Sequence, residues 1–361
     1  MQQKSLLALA AATALVAGAA AFLSLTGPET GADAAAGQRV LPALQGHLGD
    51  VASVELWHGG NKITLRRLGA GEAAKWGVAE KNDFPADETR LRRTLLGLSE
   101  LTLVEPKTAK PEFYSRLDLE DPTAKDSKSV LARLGDGKGG ILAEIITGKR
   151  RPNRLGSGQD GIYVRRPSEK RSWLAQGTAN LGEDASDWME RRVAAIGADR
   201  IRQAVFTHAD GTTLTLTRAK PEEELKLDGA PADTKYAQND SRADIGRMFD
   251  PFEIADARPA AGFTWPDSGV ARAVWTSFDG LTLLAQTVDE GDTHWVRLSA
   301  DGEGKAKEEA DRLNARWSGW IYAVPAYKAG AIRTRRSDLL EPEPPKQESP
   351  KQDLAKPARK R

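Results

Sequence analysis

An uncharged, apolar run near the N-terminus constrains this chain more than any other feature of its sequence. Leu6 to Leu25 reads LLALAAATALVAGAAAFLSL, and about 20 such residues in an α-helix cross the hydrocarbon core of a bilayer. Lys4 precedes the run, whereas Glu29 and Asp33 follow it, so the positive-inside rule places the N-terminus in the cytoplasm. The sequence predicts a membrane anchor with its apolar surface on Leu6, Leu7, Leu9, Leu15, Val16, Phe22, Leu23 and Leu25.

A cleaved signal peptide is the alternative interpretation of the same run. Ala32-Asp33-Ala34 offers a small-x-small cleavage pattern before Ala35, although the apolar stretch is longer than the core of a usual signal peptide. Both interpretations export the rest of the chain. We expect a single-pass protein of the bacterial inner membrane, with a cytoplasmic N-terminus and its bulk in the periplasm.

Composition excludes several classes of function. The chain has no cysteine, so it forms no disulfide and offers no thiolate to a nucleophilic, iron–sulfur or zinc site. Its 52 basic and 51 acidic residues give a net charge of +1, which argues against nucleic acid as a partner. Hydrophobic residues make up 40% of the 361 residues, enough to bury more than one core.

Alternating apolar residues predict β-hairpins joined to helices. The runs 51–56 and 63–65 flank the turn Gly59-Gly60-Asn61, and Asp87 can cap a helix with leucines at helical spacing. A similar order returns around Asp210-Gly211 and again around Asp279-Gly280, where Lys305–Trp317 supplies the helix. We therefore expect an α+β fold of repeated small β-hairpin and helix units, forming related subdomains.

A β-rich middle segment separates the first unit from the second. Hairpins are predicted for 130–134 with 141–146 and for 162–164 with 173–174, and a short helix is predicted from Asp187 through Val193. The predicted organisation is a cytoplasmic stub and anchor at 1–28, a linker at 29–48, a first repeat at 49–107, the middle segment at 108–198, a second repeat at 199–262, a third repeat at 263–340 and a disordered tail at 341–361.

One basic cluster is the candidate binding site. A Gly-rich loop predicted at 148–161 and the strand after it concentrate positive charge, which suits contact with lipid head groups, an anionic glycan or an acidic partner. An ordinary solvated hairpin is the alternative. The residues concerned are Lys149, Arg150, Arg151, Arg154, Arg165 and Arg166.

No catalytic or metal-binding pattern stands out, and we expect neither enzymatic activity nor a cofactor. The four histidines lack the spacing of a zinc motif, and His58 and His208 occupy similar hairpin positions where exposed turns are expected. A loose acidic stretch between Glu105 and Asp121 could hold two carboxylates of a hydrolase. A solvated loop accounts for it as well.

Several short motifs, taken in order, resemble a known family. They are Val54-Glu55-Leu56, Trp76, Phe84-Pro85-Ala86-Asp87, the Leu-rich helix, Tyr114 to Leu119 before Pro122, Gly161-Ile162-Tyr163-Val164 and Asp187-Trp188. This layout is similar to the domain of unknown function 4340 family, most clearly from Gly49 to Arg218. Leu117-Asp118-Leu119 departs from the Leu-Gly-Leu-like step expected there.

The resemblance implies a setting and no active site. Members of the family are single-pass envelope proteins, often encoded beside subunits of gliding-motility-type ABC transporters, and no activity is established for them. We expect a membrane-anchored periplasmic accessory or scaffold protein whose partners are the inner membrane and ABC-type transporter subunits. An envelope glycan- or lipid-binding module that uses exposed Trp is the alternative.

Overall fold

The computed structural model describes residues 35–69, 71, 74–152, 160–266 and 269–341. It divides into two compact units, Met1–Glu190 and Arg191–Arg361, each with one large antiparallel sheet. More of the described residues lie in strands than in helices, so the fold fits the predicted α+β class with strands predominating. The predicted anchor residues, 6–25, and the predicted tail after Glu341 lie outside the described residues. Within the ranges given, no helix has both the length and the apolar character that a membrane span needs.

Nine strands and one α-helix lie in the described part of the first unit. The strands are β1 (Val51–His58), β2 (Asn61–Leu68), β3 (Lys75–Val78), β4 (Phe84–Pro85), β5 (Thr102–Pro106), β6 (Val130–Asp136), β7 (Ile141–Arg151), β8 (Gly161–Arg165) and β9 (Ser172–Gln176). The helix is α1 (Glu88–Glu100), and short 3-10 helices lie at Pro42–Leu44, Leu48–Asp50, Ala79–Lys81, Pro111–Leu117 and Ala185–Trp188. The strand order in the sheet is β4-β3-β2-β1-β6-β7-β8-β9-β5.

The β1–β2 hairpin follows the predicted alternation. Val54 and Leu56 are buried on one face of β1, whereas Trp57 on the other face is half-buried. The two-residue turn uses Gly59 and Gly60 with φ of 55° and 79°, the left-handed backbone that a tight hairpin turn of this kind requires. The predicted hairpin is confirmed.

Helix α1 begins and packs as the sequence predicts. The Asp87 carboxylate accepts a hydrogen bond from the Arg90 amide at 2.9 Å, which satisfies one of the free N–H groups of the first turn. Leu91, Leu95 and Leu98 recur at helical spacing and are buried. Burial of this leucine stripe, more than helix propensity, holds α1 on the sheet.

The predicted linker at 29–48 belongs to the first unit from residue 35 onward. The Val40 amide donates to the Leu101 carbonyl at 2.8 Å, and the side chains of Val40 and Leu44 are completely buried. Burying these apolar side chains in the unit is more favourable in free energy than exposing them in a solvated linker. The folded unit therefore starts before the first predicted repeat.

Within its described residues, the second unit has ten strands and four α-helices. The strands are β10 (Arg192–Ala194), β11 (Ile201–Thr207), β12 (Thr213–Thr217), β13 (Lys226–Leu227), β14 (Phe252–Glu253), β15 (Asp256–Pro259), β16 (Ala271–Ser277), β17 (Thr282–Glu290), β18 (Thr293–Asp301) and β19 (Trp320–Val324). The helices are α2 (Arg242–Gly246), α3 (Lys305–Trp317), α4 (Ala326–Ile332) and α5 (Arg336–Leu339), and Ala198–Arg200 is a 3-10 helix. Eight strands form a sheet in the order β13-β12-β11-β16-β17-β18-β19-β15, and β10 pairs with β14.

The two large sheets share one topology. Each starts with an antiparallel hairpin and a short third strand, passes through a helix and then an edge strand, β5 or β15, and continues as four strands that pair in sequence. In the second unit α3 lies between the third and fourth of these strands. The fourth strand pairs with the edge strand, β9 with β5 and β19 with β15. The structural repeat therefore occurs twice, one copy in each unit.

This arrangement regroups the predicted repeats. The segment taken as a third repeat, from residue 263, supplies β16 and β17, which add to the sheet that β11 and β12 begin. The first repeat and the β-rich middle segment likewise share the first sheet, and the division between units falls after Glu190, before the predicted boundary at residue 198. The predicted helix from Asp187 is wrong beyond Trp188, because Val193 lies in β10, which pairs with β14.

Candidate functional site

A β-bulge in β7 shapes the candidate site. Thr147 pairs with Val164 and Arg150 pairs with Ile162, so β7 advances three residues while β8 advances two. A side chain at Gly148 would lie 2.2 Å from the Leu117 carbonyl oxygen, a distance that only glycine avoids. The bulge therefore allows close contact with the neighbouring segment, and bulges commonly redirect a side chain at a functional site.

The segment that contacts Gly148 ends in a turn at Asp118, where the backbone has a positive φ. Asp118 follows the 3-10 helix Pro111–Leu117 with φ of 54°, a left-handed conformation that Asp accepts better than most non-glycine residues. Lys149 holds this turn, because its Nζ donates to the Arg116 carbonyl at 3.0 Å and lies 3.5 Å from Asp118 Oδ1. The left-handed backbone explains why a Gly was expected at this step.

Beside the bulge lies a polar cleft of about 570 Å³. Arg150 reaches it from β7, and one terminal guanidinium nitrogen donates to the Ala179 carbonyl at 3.3 Å and to Asn180 Oδ1 at 3.2 Å. Groups of both charge signs line the cleft. The lining residues are His58, Asp118, Ser127, Lys128, Val130, Thr147, Gly148, Arg150, Ile162, Ala179, Asn180, Leu181 and Glu183.

His58 lies at the end of β1 and faces the cleft. Its Nδ1 is 3.1 Å from the Ser129 carbonyl oxygen; because a carbonyl only accepts, we assign the proton to Nδ1. Its Nε2 is 3.6 Å from Glu183 Oε2. The prediction of an exposed turn is wrong for His58, which is half-buried, and for His208, which is buried.

The cations of the predicted cluster do not act together. Arg151 donates to the Tyr163 hydroxyl at 3.2 Å, and Arg165 lies over the Tyr114 ring at 4.5 Å. Arg166 donates to the Val40 carbonyl at 2.9 Å and to Glu169 at 2.7 Å. Together with Lys149 these residues stabilise the first unit, and Arg154 lies outside the described residues. Of the five described members, Arg150 alone lines the cleft.

The predicted basic loop is also shorter than expected. Its first residues, Gly148 to Arg151, continue β7, since the bulge keeps them paired with β8. Residues 153–159 lie outside the described residues. The Arg150 side chain is consequently placed by a strand and not by a free loop.

Sequence reasoning missed most of the cleft because its residues come from distant segments. The acidic stretch contributes Asp118 to the lining, whereas the Glu120 carboxylate accepts from the Lys128 amide at 3.0 Å. Asp121 closes a turn: the Thr123 amide and hydroxyl donate to it and hold the pKa of its carboxyl below the usual value. Across the described part of the chain, no group of three His, Asp or Glu residues is placed to hold a metal ion.

The cleft can bind a charged group but shows no assembled catalytic machinery. Lys128 and Arg150 are exposed where they line the cleft, so a charged group that enters would meet two cations and a histidine as well as the carboxylates of Asp118 and Glu183. Charge-assisted hydrogen bonds from such groups are stronger than neutral ones.

Comparisons with known proteins place this region in a family. The family model described as domain of unknown function (DUF4340) matches residues 76–254, a range that includes most residues lining the cleft. No curated protein and no solved structure matches the chain. The match agrees with the resemblance carried by Trp76, Phe84-Pro85-Ala86-Asp87 and Asp187-Trp188, and on this evidence the chain belongs to the DUF4340 family.

Proposed function

We propose that this protein is a membrane-tethered accessory or scaffold component that acts by binding a partner protein in the periplasm. The observation that carries the proposal is the polar cleft beside the β7 bulge. Arg150 uses one guanidinium nitrogen for its two hydrogen bonds. Glu183, which also lines the cleft, has a side chain that is 68% exposed. These groups retain the capacity to pair with charged groups of a partner.

The apolar run at 6–25 supports the tethered part of the proposal, because its length suits a membrane-spanning helix. An ABC-type transport complex is the partner that the family setting suggests. The protein would then hold or position subunits of that complex from the periplasmic side and would have no catalytic activity of its own.

The first sheet offers a second surface suited to protein contact. Trp57 is half-buried on its outer face, with Lys62 Nζ 5.0 Å and the Arg133 guanidinium 4.8 Å from the ring centroid. Glu55 pairs with Lys62, and Glu144 with Arg133. Trp and Arg are enriched at the centres of protein interfaces, so this ordered strip is consistent with a scaffold role.

A glycan- or lipid-binding module has less support. That alternative needs exposed Trp side chains, and all nine Trp are buried or half-buried, with Trp188 and Trp275 completely so. Trp188 lies in the core of the first unit and Trp275 in the core of the second. The polar cleft would still accept an anionic sugar or head group.

Crosslinking and mass spectrometry in native membranes test the proposal. We expect an intact peptide covering residues 1–39 and reproducible crosslinks from Lys128 or Lys62 to one protein partner. A Lys307→Arg variant, which removes an exposed amine on α3 of the second unit and so touches neither surface of the first, serves as the matched control and should leave those crosslinks unchanged. A processed N-terminus near Ala35 together with no crosslinked partner would refute the proposal and favour a free periplasmic binding protein.

A further inference from the structure

The shared topology allows residue-by-residue comparison around the cleft. Both first strands carry a bulge at the same place, between Val51 and Ser53 in β1 and between Ile201 and Gln203 in β11. Counting from these bulges, His58 corresponds to His208. The pair Val130 and Thr147, on β6 and β7, corresponds to Ala271 and Thr287, on β16 and β17.

In the second unit, the corresponding place is occupied by the chain itself. Helix α4 packs on β16, β17 and β18, with Ala329 and Ile332 completely buried. Just after the helix, the Arg333 guanidinium donates to Thr287 Oγ1 at 3.3 Å and to Asp289 Oδ1 at 2.7 Å. His208 makes a hydrogen bond with the backbone of Thr334.

In the first unit, the segment after β9 leaves this place open. Residues 177–190 contain no α-helix, although they occupy the same point in the topology as the segment that carries α4. The corresponding residues on the floor, Val130, Thr147 and Ile162, line the cleft instead. The first unit therefore has a site that corresponds to the one filled by α4 in the second unit, but residues 177–190 place no α-helix in it.

The charged residue at the edge of this site has the opposite sign in the two units. Asp289 pairs in register with His294 on β18, and Arg150 pairs with Ile162, the corresponding residue on β8. In the second unit, Asp289 accepts a hydrogen bond from the Arg333 guanidinium. At the corresponding position of the first unit, the side chain is itself a guanidinium, that of Arg150. Lys128 adds a second positive charge to the same cleft.

We propose that the cleft of the first unit receives a short helix of small apolar residues from a partner protein, followed by an Asp or Glu that pairs with Arg150. The proposal deepens the proposed function, on which it rests, by naming the partner's chemistry. The partner segment takes the place that α4 fills in the second unit, and its acidic side chain takes the place of Arg333. A helix docked into a groove is a recurring mode of peptide recognition.

A pair of synthetic peptides tests the inference with the purified full chain. One has the sequence of residues 325–335 with Arg333→Glu, and the other keeps Arg333. Each carries a fluorophore, and binding is measured by anisotropy at low ionic strength. We expect the acidic peptide to bind about tenfold more tightly, because one peptide attracts and the other repels the Arg150 charge.

Charge reversal in the protein provides the sharper test. Arg150→Glu should reverse the preference between the two peptides, whereas Arg93→Glu, the same charge change at an exposed position of α1 that does not line the cleft, should leave it unchanged. Arg150→Gln should weaken the acidic peptide without favouring the basic one. Far-UV circular dichroism and thermal midpoints check that each variant is folded.

Three results of the peptide experiments would overturn the inference. They are the absence of saturable binding by the acidic peptide, equal effects of Arg150→Glu and Arg93→Glu, or a gain of more than about tenfold in peptide affinity when residues 342–361 are deleted, which would make the chain's own tail the occupant. Partner crosslinks in native membranes that persist unchanged in Arg150→Glu would leave the proposed function standing and refute this inference alone.

Discussion

Gly148→Ala should be costly although it adds a single methyl group. A Cβ at this position would lie 2.2 Å from the Leu117 carbonyl oxygen and 2.4 Å from that of Asp118. Both are backbone atoms, so no side-chain rotation relieves the contact. The segment must move away from β7 by roughly 1 Å to reach an ordinary van der Waals distance.

The expected loss in the free energy of unfolding follows from the apolar side chains that this segment buries. Tyr114 and Leu119 pack against Ile146, Tyr163 and Leu174 in one apolar cluster. A radial gap of up to about 1 Å forfeits a quarter to a half of each dispersion contact, and overpacking a core usually costs about 1–3 kcal/mol. We expect the upper end, about 2–3 kcal/mol in the free energy of unfolding.

Urea titration followed by circular dichroism measures the effect. With a slope near 2 kcal/mol per M, the midpoint of the transition assigned to the first unit should fall by about 1 M. Gly49→Ala is the matched control, because a Cβ there meets no atom within 4 Å. A cost below about 0.5 kcal/mol for Gly148→Ala would refute the argument that close approach fixes glycine at the bulge.

Other substitutions test the caps, the buried histidine and the second core. Asp87→Ala removes the acceptor of the Arg90 amide and should cost about 1 kcal/mol in urea titration, with Asp87→Asn retaining most of the stability. Burial lowers the pKa of His208 below its ordinary value of 6.5, so the unfolded chain takes up the proton first and stability should decrease as the pH falls below about 6.5. His208→Gln should flatten that dependence, and an equally steep pH profile would contradict the assignment. Trp275→Ala empties a site where the ring meets Phe206 and Phe249 edge-on and should cost about 3–5 kcal/mol; a cost under about 1 kcal/mol would contradict its place in the core.

Local structure was predictable where the pattern itself decides it. The β1–β2 hairpin follows from alternating residues around Gly59-Gly60, and α3 occupies the predicted range Lys305–Trp317. The count of repeats was not predictable, because β11–β12 and β16–β17 are both hairpins with an Asp-Gly turn. Such hairpins look alike in sequence whether they start a sheet or extend one.

The candidate site was predictable in part. The consecutive basic residues identified β7, the strand that borders the cleft. They did not show which side chain enters the cleft, because successive side chains of a strand point to opposite faces and the bulge changes that alternation locally. Arg150 therefore reaches the cleft, while Arg151 contacts Tyr163. The contributions of His58 and Glu183 depend on strand pairing across long sequence separations, which composition and spacing do not reveal.

The limits of the segment that the family model matches, residues 76–254, also matter for the design of shorter fragments of the protein. A fragment from 76 to 254 would keep β6 but lose its partner β1, and would keep β11 but lose its partner β16. Both sheets would be cut at a central strand, leaving unpaired backbone that invites aggregation. A cut between Glu190 and Arg191 spares every strand pairing of the two large sheets, so expression of separate halves should start from that junction.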